Sequence, residues 1–245
     1  LVIKDVPDPK PAPKELKVNI RACALNHRDH FLRQHLYPGI AFGIPLLADG
    51  VGTVTAVGSS ADKKWANKRV ILTPSQGWDS SPEGPEGKFA ILGGTKTIPI
   101  GTAQEVMVID QNEVEEAPAH LTDAEAAALP LTGLTAWRAF VTKSGNAVEG
   151  RNILITGIGG GVALNALQFA VAKGCNVYVT SSSEEKIEKA KKLGAKGGVN
   201  YKSKDWDKEL LKMLPKDRPT VDAVVDGAGG DIVNRAAKIL KVSSD

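Results

Sequence analysis

Along residues 1–121, apolar and polar positions alternate in short runs, at 16–22, 52–57, 68–72 and 105–109, each cut off by Gly or Pro. Successive strand side chains point to opposite faces, so a period of two predicts half-buried strands. Long irregular stretches separate them, and residues 73–94, rich in Pro, Gly and Ser, read as an extended loop. The first part is therefore expected to be an irregular β domain. No internal repeat is visible.

After Leu121 the rhythm changes. Thr122 with Glu125 three residues on makes a capping box, which predicts a helix start, and a second helix is expected over 132–142. From Asn152 strands and helices alternate. Strands are predicted at 153–156, 176–180, 198–201 and 221–226, and helices at 162–173, 184–193, 206–214 and 232–240. The helix at 162–173 is apolar nearly all round and is expected to be buried. That at 184–193 sets Ile187, Ala190 and Leu193 on one face, with Gly194 as its stop. Such alternation implies right-handed crossovers and a parallel sheet covered on both faces. The fold class expected is α/β, with a β-rich domain at 1–121 and a doubly wound domain at 122–245.

Composition narrows the function. With 42% hydrophobic and 24% charged residues, the chain has the balance of an ordinary soluble protein. A net charge of +3 is too small to argue for a nucleic-acid partner, and the lysines between 186 and 216 fall mostly at helical spacing, as on a solvated face. Cys23 and Cys175 lie far apart with no ligand or redox spacing, which fits a reducing compartment. No apolar run approaches the roughly 20 residues of a spanning helix and no signal peptide opens the chain, so no membrane partner and a cytoplasmic location are expected. The opening Leu1-Val2-Ile3 without methionine suggests a cropped start.

The first candidate chemistry is Thr156-Gly157-Ile158-Gly159-Gly160-Gly161-Val162-Ala163, between a strand and a helix. Glycines there permit a tight turn and close approach to a pyrophosphate, which rests on the N–H groups at the helix start. A plain tight turn is the alternative, and the strand–turn–helix context favours the nucleotide. A site that prefers NAD carries Asp or Glu at the end of the second strand, bonded to the ribose hydroxyls. Here Ser181-Ser182-Ser183 and Lys186 stand instead, and hydroxyl donors with an ammonium suit the 2′-phosphate of NADP. Ser182 with Glu185 also reads as a capping box, so Ser181 and Lys186 are the principal phosphate contacts expected.

Several ordered motifs carry a resemblance. Ala24-Leu25-Asn26-His27-Arg28-Asp29, Arg33-Gln34-His35-Leu36-Tyr37-Pro38 and Asp49-Gly50-Val51-Gly52-Thr53-Val54 resemble the quinone oxidoreductases of the medium-chain dehydrogenase/reductase superfamily. So do Leu129-Pro130-Leu131-Thr132-Gly133-Leu134-Thr135-Ala136-Trp137, the glycine turn and Asn200-Tyr201. The chain is also similar to fungal zinc-type alcohol dehydrogenase-like proteins. The resemblance implies a GroES-like β domain, a Rossmann domain and an active site in the cleft between them. It implies that Asn26 and Tyr37 lie near nicotinamide and substrate as hydrogen-bond donors, with Tyr37 or water as the proton donor. Structural roles, a loop anchor and a turn aromatic, are the alternatives. Thr132 and Gly227 correspond to positions at the nicotinamide end of the cofactor, and Tyr201 to one that flanks the adenosine phosphate. His35 stands where the related motif has glycine.

Departures from the pattern bear on the chemistry. Zinc alcohol dehydrogenases have a Cys ligand where Asn26 stands and a His ligand where Ala48 stands, and a structural-zinc lobe needs four cysteines. His27, His30 and His35 lack the facing and the carboxylate partner of a metal site, so no metal is expected. Without a Lewis acid an alcohol is hard to oxidise, whereas a quinone, enal or enone accepts hydride if hydrogen bonds support the developing oxygen charge. The expectation is NADPH-dependent, zinc-independent reduction of a quinone or α,β-unsaturated carbonyl compound. A non-catalytic NADPH-binding or truncated family member and an alcohol dehydrogenase-like enzyme are the alternatives. The Rossmann half of the family has six strands and four are predicted here. The expectation is thus an incomplete sheet with an open edge after residue 226, weak NADPH binding and poor turnover. The surface through which many full-length relatives form homodimers is expected to be missing.

Overall fold

The computed structural model describes residues 1–242 and divides into two compact units, Leu1–Leu131 and Thr132–Asp245. The first unit contains β1 (Glu15–Ala24), α1 (His27–Arg33), β2 (Asp49–Val57), β3 (Arg69–Leu72), β4 (Ser75–Gln76), β5 (Ala90–Ile91), β6 (Val106–Asp110), β7 (Val114–Glu116) and α2 (Asp123–Ala127). Its main sheet is antiparallel in the order β6-β1-β2-β3-β7. The alternation seen in the sequence works as expected: Leu16, Val18, Val54, Val70, Leu72, Met107 and Ile109 turn inward and pack as one core.

β1 and β2 are longer than the pattern predicts. Gly50 looks like a turn signal, yet it pairs with Cys23 inside β2; further along the strand, at Gly52, the Asn19 backbone crosses so closely that a Cβ would sit 2.4 Å from its carbonyl oxygen. The extension pairs Ala24 with Asp49 and so carries Asn26 to the mouth of β2. The expected loop at 73–94 contains the β4–β5 ribbon. The Glu86 carboxylate gathers the N–H groups of Asp79, Ser80 and Ser81, and those bonds, from Ser81 and Ser80 first, push its pKa down to about 2. The Trp78 ring meets Phe89 edge-on at 5.7 Å.

The Thr122–Glu125 capping box is present, Glu125 accepting the Thr122 N–H at 2.9 Å. Ala126 and Ala127 of α2 pack with Val51 and Ala117. That helix therefore belongs with the first sheet, and along the chain the division between the compact units falls after Leu131 rather than at the change of rhythm after Leu121. Instead of one helix at 132–142, α3 (Pro130–Ala136) starts at a proline, which suits a first helical position, and runs into a π-helical segment, Trp137–Thr142.

The second unit continues with β8 (Asn152–Ile155), α4 (Gly161–Ala172), β9 (Asn176–Ser181), α5 (Glu184–Lys192), β10 (Gly197–Asn200), α6 (Trp206–Met213), β11 (Ala223–Val225) and α7 (Ile232–Ile239). Among the described residues its sheet is wholly parallel, in the order β10-β9-β8-β11. Ile153, Ile155, Val177 and Val179 pack with residues of α4 and α5. Leu154, Tyr178 and Val199, on the other face, pack with Trp206 and Leu210 of α6 and Ile239 of α7. Both faces are covered, so the sheet is doubly wound. Two expectations are corrected. α4 buries Ala163, Ala166, Leu167 and Ala170 along one side and leaves Gln168 exposed, because only that side meets the sheet. Leu193 is the C-cap of α5 and 46% exposed, while Ile187 and Ala190 are buried; Gly194 turns the chain away at φ 108°.

Candidate functional site

The chain leaves β8 at Ile155 and turns through Gly157, whose φ of 62° is open to glycine at no steric cost. Gly160 is the N-cap of α4 and has no side chain to give its first turn. The helical ladder starts with Leu164 N–H on the Gly160 carbonyl at 3.0 Å, so Gly161, Val162 and Ala163 have N–H groups with no intrahelical acceptor. A Cβ on Gly159 would lie 2.7 Å from Lys186 Nζ: the ammonium rests on bare backbone at the turn. A Cβ on Gly161 would come within 2.9 Å of Thr132 Cγ2, and Asn165 donates to the Thr132 hydroxyl at 3.0 Å. Thr132, Gly157, Gly159, Gly160, Gly161, Val162 and Lys186 thus gather around one helix start.

The end of β9 lies beside them. Ser181 is buried and its hydroxyl oxygen accepts the Ser183 N–H at 3.1 Å, while Ser182 is exposed. Ser183, not Ser182, caps α5, accepting from Lys186 N–H. β9 runs one residue further than expected, to Ser181, and this moves the cap by one. Tyr201 N–H donates to the Ser181 carbonyl at 3.2 Å, so Tyr201, about half exposed, stands next to that strand end. Gly227 follows β11, its N–H donating to the Thr156 hydroxyl at 3.3 Å, and that hydroxyl donates to Asp226. Thr156 heads the glycine motif, but the sequence assigned no role to its hydroxyl or to Asp226. The signal available was that each closes an apolar run of a parallel strand. The sheet order reverses between β8 and β11, and in open α/β sheets the crevice at the strand ends there is the place for ligands.

The first unit carries a second constellation. Asn26 Nδ2 donates to Asp49 Oδ2 at 2.8 Å, and the Leu131 N–H donates to Asp49 Oδ1 at 2.9 Å. Asp49 is 1% exposed, and burial pushes its pKa up to about 6 against the lowering effect of those two donors. The Asn26 N–H is held by Asp29 Oδ2 at 2.8 Å. Arg28, also buried, donates to Asp29 at 3.3 Å, to the Leu92 carbonyl at 2.7 Å and to the Gly93 carbonyl at 3.1 Å. Its guanidinium carbon lies 4.9 Å from the centre of the Tyr37 ring, a cation–π contact. Asn26 and Tyr37 therefore join one network through Asp29 and Arg28. The sequence reading gave no role to Asp49, Arg28 or Asp29, although a lone carboxylate in the apolar run Leu46-Leu47-Ala48-Asp49-Gly50-Val51 was a usable signal.

The residues present do not fit a zinc ion. Asn26 already commits its amide nitrogen to Asp49, Ala48 is buried and has no donor atom, and among the described residues no three of His, Cys, Asp and Glu are grouped to hold a metal. His27 meets Phe31 edge-on at 4.9 Å, and His35 packs on Phe42 at 5.5 Å. A nicotinamide dinucleotide fits better: at the start of α4 Gly161, Val162 and Ala163 have N–H groups with no intrahelical acceptor, which suit a pyrophosphate.

A parallel sheet with this glycine turn, preceded by an antiparallel β unit, defines a dinucleotide-binding class of protein. Family comparison agrees on both halves. Residues 12–119 match the alcohol dehydrogenase GroES-like domain and residues 161–243 the zinc-binding dehydrogenase family. The chain is 54% identical over 249 aligned residues to the zinc-type alcohol dehydrogenase-like protein YogA of Leptosphaeria maculans, covering 98% of this chain and 70% of that one. It is 28% identical to a quinone oxidoreductase of Pseudomonas aeruginosa, covering 94% of this chain and 63% of the relative. A crystal structure of an NAD-dependent alcohol dehydrogenase superposes with a TM-score of 0.87 at 34% identity, over 97% of this chain and 69% of that one. The chain belongs to the medium-chain dehydrogenase/reductase superfamily, whose members bind nicotinamide cofactors, with a GroES-like domain followed by a Rossmann-like fold. It spans between 63% and 70% of the length of these three relatives.

Proposed function

We propose that this protein serves NADPH-dependent reduction of a quinone or an α,β-unsaturated carbonyl compound, without zinc. The observation that carries the cofactor half is Lys186 Nζ lying against Gly159, with the exposed Ser182 and the Ser181 hydroxyl at the neighbouring strand end. An ammonium and hydroxyls attract a phosphate, where a carboxylate in that position repels it. Tyr201 provides a half-exposed ring at the same strand ends. The bound cofactor supplies a hydride to the acceptor. The N–H groups at the start of α4 hold negative charge, and Thr132 sits against that helix start.

The acceptor half rests on Asn26 and Tyr37. Asn26 keeps one amide N–H on Asp49 and retains a second as donor toward oxygen charge that develops on the acceptor. Tyr37 is steadied by the Arg28 guanidinium and offers a phenol as hydrogen-bond or proton donor. The donor set described above lacks zinc ligands, which favours activated acceptors over alcohols. Both cysteines are free, in keeping with a reducing, cytoplasmic setting, and among the described residues no helix is long and apolar enough to cross a membrane.

The test is steady-state NADPH consumption with a panel of quinones, enals and enones in the presence of a strong chelator. The reading predicts chelator-insensitive turnover with at least one class. A second reading, a cofactor-binding chain without turnover, gains if NADPH binds but is not consumed across the panel. Zinc-dependent alcohol oxidation instead would overturn the proposal.

A further inference from the structure

We propose that Asp49 is a positioning residue: its ionised carboxylate holds the Asn26 carboxamide with nitrogen inward, and its protonated form releases that constraint. Both carboxylate oxygens of Asp49 are engaged, Oδ1 by the Leu131 N–H at 2.9 Å and Oδ2 by Asn26 Nδ2 at 2.8 Å. An ionised carboxylate only accepts hydrogen bonds, so turning the amide over would set its carbonyl oxygen against a second acceptor in a buried place. A protonated Asp49 has an O–H and tolerates either face of the amide. The backbone cannot adjust, since the Asn26 N–H is tied to Asp29 and the Asp29 N–H to the Asn26 carbonyl.

The charged groups that act on Asp49 are both on α1. Asp29 raises its pKa and Arg28 lowers it, while burial is the largest effect. With its pKa pushed up to about 6, Asp49 can carry either protonation state in mildly acidic solution and so sets which hydrogen-bonding atoms Asn26 offers outward. Its consequence for catalysis rests on the proposed role of Asn26; the orientation itself does not.

The experiment follows the side-chain amide resonances of Asn26 in the 15N-labelled chain between pH 4.5 and 8, assigned by their loss in Asn26→Ala. The expected result is a single titration with a midpoint of about 6 that vanishes in Asp49→Asn. Should Asp49→Asn fold poorly, Asn26→Ala serves instead: loss of the amide donor moves the 13C midpoint of the Asp49 carboxyl upward. An Asn26 amide that does not titrate, or an Asp49 midpoint untouched by Asn26→Ala, overturns the inference. With a working acceptor, kcat/KM is expected to break near the same pH in the parent and lose that break in Asp49→Asn, with the KM for NADPH unchanged. A break that persists in the variant also overturns it. If Asn26 titrates through Asp49 while no acceptor is reduced, the proposed activity fails and the positioning role stands.

Discussion

His35 holds a left-handed backbone conformation, φ 59°, two residues before Tyr37, at a position where the related motif has glycine. A Cβ in that region costs roughly 1–2 kcal/mol, and histidine tolerates it better than most residues. Replacing it by glycine removes that cost but adds about 0.5–1 kcal/mol of backbone entropy to the unfolded chain. His35→Gly is therefore expected to leave stability unchanged or raise it by up to about 1 kcal/mol in urea unfolding. A loss greater than that would mean that the His35–Phe42 ring contact, at 5.5 Å, outweighs the strain. At this scale the sequence was legible where chemistry follows from residue type in a local frame. The glycine turn and Lys186, in their proposed roles, are of that kind, whereas Asn26 entered through the family resemblance alone. The roles of Asp49 and Arg28 were not legible, because their partners Leu131, Leu92 and Gly93 are distant in the chain; Asp29 bonds locally, to Asn26 and Arg28, and joins the network through them.

Elements were read most reliably where the apolar period was uninterrupted, as in β8, β9 and α5. Reading was poorest where glycine or proline lies inside or opens an element, as at Gly50 in β2 and at Pro130, which opens α3. The parallel sheet also has an anchor that periodicity could not show. Asp222, its side chain 2% exposed, accepts the Asn152 N–H at 2.8 Å, Arg151 at 2.9 Å and Arg218 at 2.8 Å. Burial raises its pKa, yet the Asn152 and Arg151 hydrogen bonds and the Arg218 charge outweigh it and hold the carboxyl below its usual value. Removing one partner from such a cluster strands the others. Asp222→Ala is expected to cost about 2–4 kcal/mol in urea unfolding, toward the lower end because both arginines are about one-third exposed. A cost below about 1 kcal/mol would show that the arginines re-solvate freely.

On the scale of the whole molecule, two units of different architecture divide the work that the proposed activity needs. The first, antiparallel, keeps the Asn26–Asp49 and Arg28–Tyr37 contacts; the second, parallel and doubly wound, keeps the glycine turn and Lys186. The alternation of strand and helix was enough to recognise the second architecture, while the border between the units followed the packing of α2, which no local rhythm reveals. Selection of a phosphate at the end of β9 is the property that the proposed function asks most of in the second unit. Its most direct measurement is the dissociation constant of NADPH and of NADH, by calorimetry, for the parent chain and Lys186→Ala. A charge-assisted contact of about 1.5–3 kcal/mol predicts that the variant loses roughly tenfold to a hundredfold in NADPH affinity, with NADH almost unchanged. Equal losses for both cofactors, or a parent chain that binds NADH as tightly as NADPH, would contradict it.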